Sequence, residues 1–211
     1  LNVGCIPSKS LLKNAEIAHT LRERGKEFGF SFDNLKLDYS TAVKRSRQVS
    51  GRLVKGVDFL MKKNKISTFI GEARIIAKDT ISVIDKNGNI NEIKTKNIIV
   101  ATGASASVPP AWKMDGKRII TYQEGILQET LPKSVVIIGG GAIGMEFATI
   151  WNAYGVEVSI VEMLPHLLPP EDEEAAEEVA KSFTKRGIKI YAGHKVKKVE
   201  NTGDAVRIII S

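Results

Sequence analysis

A single cysteine, Cys5, stands among 211 residues, so an internal disulfide framework and a multi-thiolate zinc site are both excluded. What remains for Cys5 is a buried bystander or a reactive thiol. The three histidines, His19, His166 and His194, show no metal-ligand spacing, and helix, loop or strand-end roles suffice for them, so no metal site is expected. Long apolar runs are missing as well: Val135 to Ile138 and Ile98 to Ala101 fall far short of the roughly 20 residues of a membrane helix. No membrane span is expected. The opening Leu1-Asn2-Val3-Gly4-Cys5 has neither a basic nor an apolar leader region and is not a signal peptide. The chain is expected to start in mid-protein and to stop inside a strand, Ala205 to Ser211, that has no turn or cap after it. Nor is there a contiguous basic patch. The 31 Lys and Arg outnumber 24 Asp and Glu, for a net charge of +7, but Lys44, Arg45, Arg47, Arg52, Lys55, Lys62, Lys63 and Lys65 fall at helical spacing, as on a solvated helix face. Nucleic-acid binding is not expected. With 43% hydrophobic residues the chain can bury the core of one large domain or two small ones.

What is present is strongly patterned. Leu11, Leu12, Ala15, Ile17, Ala18 and Leu21 share one face of a helix from Pro7 to Arg24, with Pro7 in the first turn and Gly25 as a C-cap. A second, long helix starts at a cap on Asp38 or Ser40 and runs to about Asn64, with Val43, Val49, Leu53, Val57 and Leu60 inward. The period then changes to two. Short strands are expected over Ile66 to Ile70, Ala73 to Ala77, Ile81 to Asp85 and Ile90 to Thr95, with a hairpin turn at Lys86 to Asn89. Asn97 to Gly103 reads as a strand apolar on both faces, suited to the middle of a parallel sheet. Ala104 to Pro110 is a linker, and beyond it βαβ alternation begins. Strands at Val135 to Ile138, Val156 to Val161 and Ile188 to Tyr191 alternate with helices at Ala142 to Tyr154 and Asp172 to Arg186, the second stopped at Gly187. This is the pattern of one mononucleotide-binding half.

Gly139-Gly140-Gly141-Ala142-Ile143-Gly144 fits G-x-G-x-x-G between an apolar strand and a helix start, with an acidic residue, Glu162, about 20 residues on at the end of the next strand. Gly139 permits a tight turn, Gly141 lets backbone approach a pyrophosphate, and Gly144 lets helix and strand pack closely. The helix N-terminus offers N–H groups and partial positive charge to the phosphates. A carboxylate at Glu162 accepts ribose hydroxyls and repels a 2′-phosphate, which favours NAD over NADP. By itself Glu162 also reads as a solvated strand end.

Cys5 lies just ahead of Pro7-Ser8-Lys9 at a helix start, where N–H dipoles and a nearby ammonium both favour a thiolate. The string Leu1-Asn2-Val3-Gly4-Cys5-Ile6-Pro7-Ser8-Lys9 resembles the redox-active segment of the pyridine nucleotide-disulfide oxidoreductases. Thr95 to Gly103 is similar to that family's second flavin-contacting strand, and Gly139 to Glu146 with Glu162 to its NAD domain. In order and spacing these landmarks cover nearly the whole chain.

The resemblance implies an α/β fold with two Rossmann-like, three-layer FAD/NAD(P)-binding domains and a small antiparallel sheet inserted in the first. Residues 1–106 would be a partial FAD-binding domain with the redox-active segment, and residues 107–211 a C-terminally incomplete NAD-binding domain. FAD and NAD are the implied cofactors. Cys5 would be the flavin-proximal cysteine, with its redox partner immediately before Leu1. Lys9 and Glu146 would pair beside flavin N5, where a cation stabilises anionic reduced flavin. Ala73 would lend backbone to the flavin adenine, Thr102, Gly103 and Ala104 would line the flavin, and Val196 would approach the NAD adenine. Ala142 departs from relatives that carry a bulkier residue over the nicotinamide pocket. The implied reaction is oxidation of protein-bound dihydrolipoamide, with electrons passing through the cysteine pair and FAD to NAD. The implied partners are the lipoyl domain of a 2-oxoacid dehydrogenase or glycine cleavage complex and a second copy in a homodimer, in the cytoplasm or a mitochondrial matrix. The 211 residues alone would be inactive. A glutathione-reducing branch is disfavoured because it has basic residues where Glu162 stands. A mercuric reductase shares nearly the same Cys5 segment and stays open, and an NAD-binding module without thiol chemistry is the alternative from another class.

Overall fold

Apolar residues recurring every three or four positions form the inner face of α1 (Cys5–Arg24), where Leu11, Ala15 and Ala18 are buried. The computed structural model describes all of residues 1–211. Helix α1 does not stop at a left-handed Gly25, as its position suggests. Gly25 has φ −52°, and the chain tightens into a 3₁₀ turn over Gly25–Phe28 before Gly29, at φ 79°, ends it. Arg24 holds that extra turn by donating to Glu27 and by lying 5.1 Å over the Phe28 ring.

Asp38 caps α2 (Tyr39–Lys63), its carboxylate accepting from the Thr41 N–H at 3.1 Å and the Thr41 hydroxyl at 2.6 Å. Of the residues expected inward, Val43 is buried, Val49 and Val57 are half-buried, and Leu53 and Leu60 are exposed. Their apolar face lacks a packing partner among these residues. The chain divides into two compact units, Leu1–Leu53 with Val108–Ser211, and Val54–Ser107, and the division falls inside α2.

In the unit of residues 54–107, β1 (Glu72–Ala77), β2 (Thr80–Ile84) and β3 (Ile90–Lys94) form an antiparallel meander in that order. Its second turn is organised by Asp85, whose carboxylate accepts from the N–H groups of Asn87 and Asn89, with Gly88 at φ 83°. Two expected strands do not form. Residues 66–70 and 97–103 pair with nothing, and Ile99 and Val100 are 90% and 68% exposed. A parallel strand exists only against a neighbour, and none of these strands lies alongside either segment.

In the other unit, β4 (Ser134–Ile138), β5 (Glu157–Val161) and β6 (Lys189–Tyr191) form a parallel sheet in that order. Helix α4 (Ala142–Ala153) joins the first two strands and α5 (Glu173–Lys185) the last two. This is the expected βαβαβ half, and the fold is α/β. Both helices end alike: after α4 the Gly155 N–H donates to Asn152 and the Val156 N–H to Trp151, and after α5 Gly187 and Ile188 repeat the pattern on Thr184 and Phe183. Glycine in the left-handed region, φ 90° at Gly155 and 78° at Gly187, turns the chain straight into the next strand. A short helix, α3 (Tyr122–Gly125), is closed by a capping box between Thr121 and Glu124, and β7 (Val196–Asn201) pairs antiparallel with β8 (Val206–Ile210). No helix is long and apolar enough to cross a membrane.

The core joins α1, the start of α2 and the sheet around α4, which is apolar on most of its circumference. Ile150 and Ile160 are fully buried there, and Phe147 and Trp151 pack with ring centroids 4.9 Å apart. Ile150→Ala is therefore expected to lower unfolding free energy by about 2–5 kcal/mol, read as a shift of the denaturant midpoint at unchanged slope.

Candidate functional site

Helix α1 begins on the thiol. Cys5 is its first residue and is exposed; Gly4 provides no side-chain cap, and the Ser8 hydroxyl donates to the Cys5 carbonyl at 3.2 Å. Pro7, in the first turn, forfeits an N–H that would have no partner there. Lys9 follows one turn on, on the same face as Cys5. Its ammonium donates to the Glu146 carboxylate on α4, and this bond, more than the smaller charge effects of Glu146 and Cys5, holds the Lys9 pKa above its usual value. The expected pair therefore forms across 137 residues of sequence, and with side chains 64% and 27% exposed it lies open rather than buried. Arg47 on α2 donates to the Asn2 carbonyl, and Arg45 to the Ser10 hydroxyl at 2.9 Å, so two cations read as part of a solvated face tie down the thiol segment. Nothing in their spacing distinguishes them from the free lysines beside them.

The glycine-rich turn follows β4. Gly139 has φ 109°, and its N–H donates to Val161. At Gly144 a Cβ would lie 2.3 Å from the Gly139 carbonyl oxygen and 3.1 Å from Ile137 Cγ2, so only glycine lets α4 sit this close to the strand. At Gly141 a Cβ would meet nothing within 4 Å. Gly141 is the N-cap of α4 without a side-chain cap, and Ala142 and Ile143 beyond it are exposed. The first-turn N–H groups thus face open space beside a backbone bare of side chains, as an incoming pyrophosphate requires.

Glu162 ends β5 and is only 8% exposed, so it is no solvated strand end. Its carboxylate accepts from the Gly140 N–H at 2.6 Å and the Leu164 N–H at 2.8 Å. The chain after β6 is joined to the chain after β5 through His194 N–H to Glu162 O and Gly193 N–H to Leu164 O, 3.0 and 2.9 Å. Val196, half-buried at the start of β7, comes just after. Ala73, exposed on β1, and the exposed Thr102, Gly103 and Ala104 belong to the other unit, with Gly103 at φ 80°. The histidines take local roles: His166 and His194 each bond a backbone carbonyl through Nδ1 at 2.8 Å, and His19 has its pKa lowered by burial and by the Arg186 charge. No group of three or more His, Cys, Asp or Glu side chains is placed to hold a metal ion.

A thiol helix bonded to the helix of a glycine-rich turn is the combination the sequence resemblance anticipates, and residues 1–211 match the family described as pyridine nucleotide-disulphide oxidoreductase. The chain belongs to this family. The dihydrolipoyl dehydrogenase of Mycobacterium leprae is 46% identical over 215 residues, covering 100% of this chain and 45% of the relative. That of Chlorobaculum parvum is 41% identical over 199 residues, covering 94% and 42%. Among solved structures, LpdA of Mycobacterium tuberculosis superposes with a TM-score of 0.88 at 25% identity, over 98% of this chain and 45% of the other. An HOCl-induced flavoprotein disulfide reductase of Escherichia coli, as its Cu(II) complex, gives 0.81 at 26% identity, over 99% and 44%. The chain spans a little under half the length of these curated relatives. FAD and NAD are the cofactors of the family. The open face at Gly141 and the inward carboxylate of Glu162 fit the NAD phosphates and ribose, and the exposed Cys5, Lys9 and Glu146 fit the edge of a flavin.

Proposed function

We propose that the full-length protein is a dihydrolipoyl dehydrogenase that oxidises protein-bound dihydrolipoamide to lipoamide and reduces NAD. The observation that carries this reading is the Lys9–Glu146 ion pair, which couples the helix bearing Cys5 to the helix that opens on the glycine-rich turn. In the proposed division, residues 1–106 contribute to FAD binding and residues 107–211 to NAD binding.

Cys5 and a cysteine that the family places directly ahead of Leu1 form the redox pair. The substrate dithiol closes to a disulfide as that pair is reduced by thiol–disulfide exchange, leaving Cys5 as the thiolate nearer the flavin. Lys9 supplies the adjacent positive charge, and Glu146 keeps its ammonium in place. Gly139, Gly140, Gly141, Ala142, Ile143 and Gly144 receive the NAD pyrophosphate on backbone N–H groups, Glu162 accepts from ribose hydroxyls, and Val196 borders the adenine. Ala73, Thr102, Gly103 and Ala104 serve FAD. When bound, FAD and NAD carry the two electrons onward as hydride equivalents. The partners are the lipoyl domain of a 2-oxoacid dehydrogenase or glycine cleavage complex and a second copy of the chain, in the cytoplasm or a mitochondrial matrix.

The test is lipoamide-dependent oxidation of NADH by the full-length flavoprotein, beside glutathione disulfide and mercuric ion. Selective turnover with lipoamide is expected. Reduction of the flavin by NADH without lipoamide turnover would remove the substrate assignment and leave the cofactors, and turnover with mercuric ion instead would move the protein to that branch.

A further inference from the structure

Gly140 is held on both sides of its residue by the loop between β5 and α5. Its N–H donates to Glu162 Oε2 at 2.6 Å, and its carbonyl accepts from the Leu168 N–H at 2.8 Å. Leu168 reaches that carbonyl from the left-handed region, φ 51°, a conformation that costs a non-glycine residue on the order of 1–3 kcal/mol and persists only where its surroundings impose it. Leu167, 1% exposed, supplies the surroundings: it belongs to the core, and a Cβ on Gly140 would lie 2.8 Å from its Cδ2. The Glu171 N–H closes the loop onto the Leu168 carbonyl at 2.8 Å.

We infer that Glu162 and Leu168 are positioning residues for the phosphate-binding turn, with Glu162 acting through Gly140 independently of any contact with the nucleotide ribose. This inference deepens the NAD reading and rests on it. The carboxylate that faces the ribose is the same one that anchors the turn, so ribose recognition and phosphate recognition share a single buried group. Removing the carboxylate strips an acceptor from the buried Gly140 N–H and frees the turn that Gly139 and Gly141 shape. Exchanging Glu162 for a basic residue to admit a 2′-phosphate would then loosen the phosphate site at the same stroke.

The experiment separates the two roles with a ligand that lacks one of them. NADH and its analogue without the 2′ and 3′ hydroxyls on the adenosine ribose are titrated against the full-length flavoprotein and against Glu162→Ala and Glu162→Gln, with affinity read by direct calorimetric or fluorescence binding. Thermal unfolding is followed in parallel. Loss of a charge-assisted hydrogen bond predicts that Glu162→Ala weakens the dideoxy analogue roughly tenfold or more, with Glu162→Gln, which keeps one acceptor, between the two. Leu168→Gly, which keeps the N–H and relieves the left-handed backbone, should bind the analogue as the unaltered protein does. An analogue affinity unchanged in both Glu162 variants, with NADH alone weakened, would confine Glu162 to the ribose and overturn the inference. If the unaltered protein binds neither ligand, the NAD reading falls first and takes this one with it. Should Glu162→Ala not fold, the Glu162→Gln comparison decides by the same criterion.

Discussion

Cys5→Ser in the full-length protein is expected to lower lipoamide turnover by roughly a thousandfold or more, the scale on which removal of a catalytic nucleophile acts. NADH should continue to reduce the flavin and, through it, an artificial dye, because the glycine-rich turn and Glu162 are untouched. Serine is nearly isosteric with cysteine, and Cys5 is exposed at the first position of α1, where its side chain contributes nothing to the core. Thermal stability should therefore stay within about 0.5 kcal/mol of the parent, as for surface substitutions generally. Stopped-flow reduction by NADH and steady-state turnover with lipoamide, run on the same preparation, check both halves. Equal loss of the two would mean that Cys5 shapes the fold rather than the chemistry, and unchanged lipoamide turnover would reduce the protein to a nucleotide-binding module.

Gly144→Ala should be as damaging by another route. Its methyl group would lie 2.3 Å from the Gly139 carbonyl oxygen, so α4 must withdraw from β4 and carry the turn with it. Overpacking of this kind costs about 1–3 kcal/mol, and the displaced first-turn N–H groups should abolish measurable NADH binding. Gly141→Ala provides the contrast. Gly141 has φ −77°, and its added Cβ meets nothing within 4 Å, so the variant should unfold at nearly the parental temperature. Its methyl group would nonetheless stand where the pyrophosphate approaches, and NADH affinity should fall. Calorimetric unfolding and NADH titration of both variants separate a packing defect from a binding defect; equal stability in the two would show that Gly144 is not sterically required.

The parallel half was legible from sequence because its determinants are local. Strand period, the glycine that ends each helix and the G-x-G-x-x-G spacing all lie within a few residues of the structure they specify, and β4 to β6 formed where the pattern placed them. Asn97 to Gly103 shows the other case. Its composition is that of a buried strand, yet burial is a property of neighbours, and Ile99 stands 90% exposed without them. Leu53 and Leu60 on α2 repeat the lesson. The Lys9–Glu146 pair was anticipated by family resemblance; across 137 residues no spacing argument reaches it. Glu162 was legible as an acid at a strand end but not as the acceptor for Gly140, because that bond depends on how the following loop closes. Leucine at position 168 gives no sign of a left-handed backbone, since residue type favours glycine or asparagine there.

The bare Ile99 and Val100 also bear on the order in which the protein folds. The β4–α4–β5–α5–β6 half closes through contacts between near neighbours in the chain, and such contacts form early. Residues 97–103 can complete a sheet only by meeting strands distant in sequence, a slower event. Until then they present unpaired backbone and apolar side chains, the surface through which partly folded copies stick to one another and on which chaperones act. The yield of native protein should accordingly depend on chain concentration during refolding, with residues 97–103 the last segment to gain protection from hydrogen exchange.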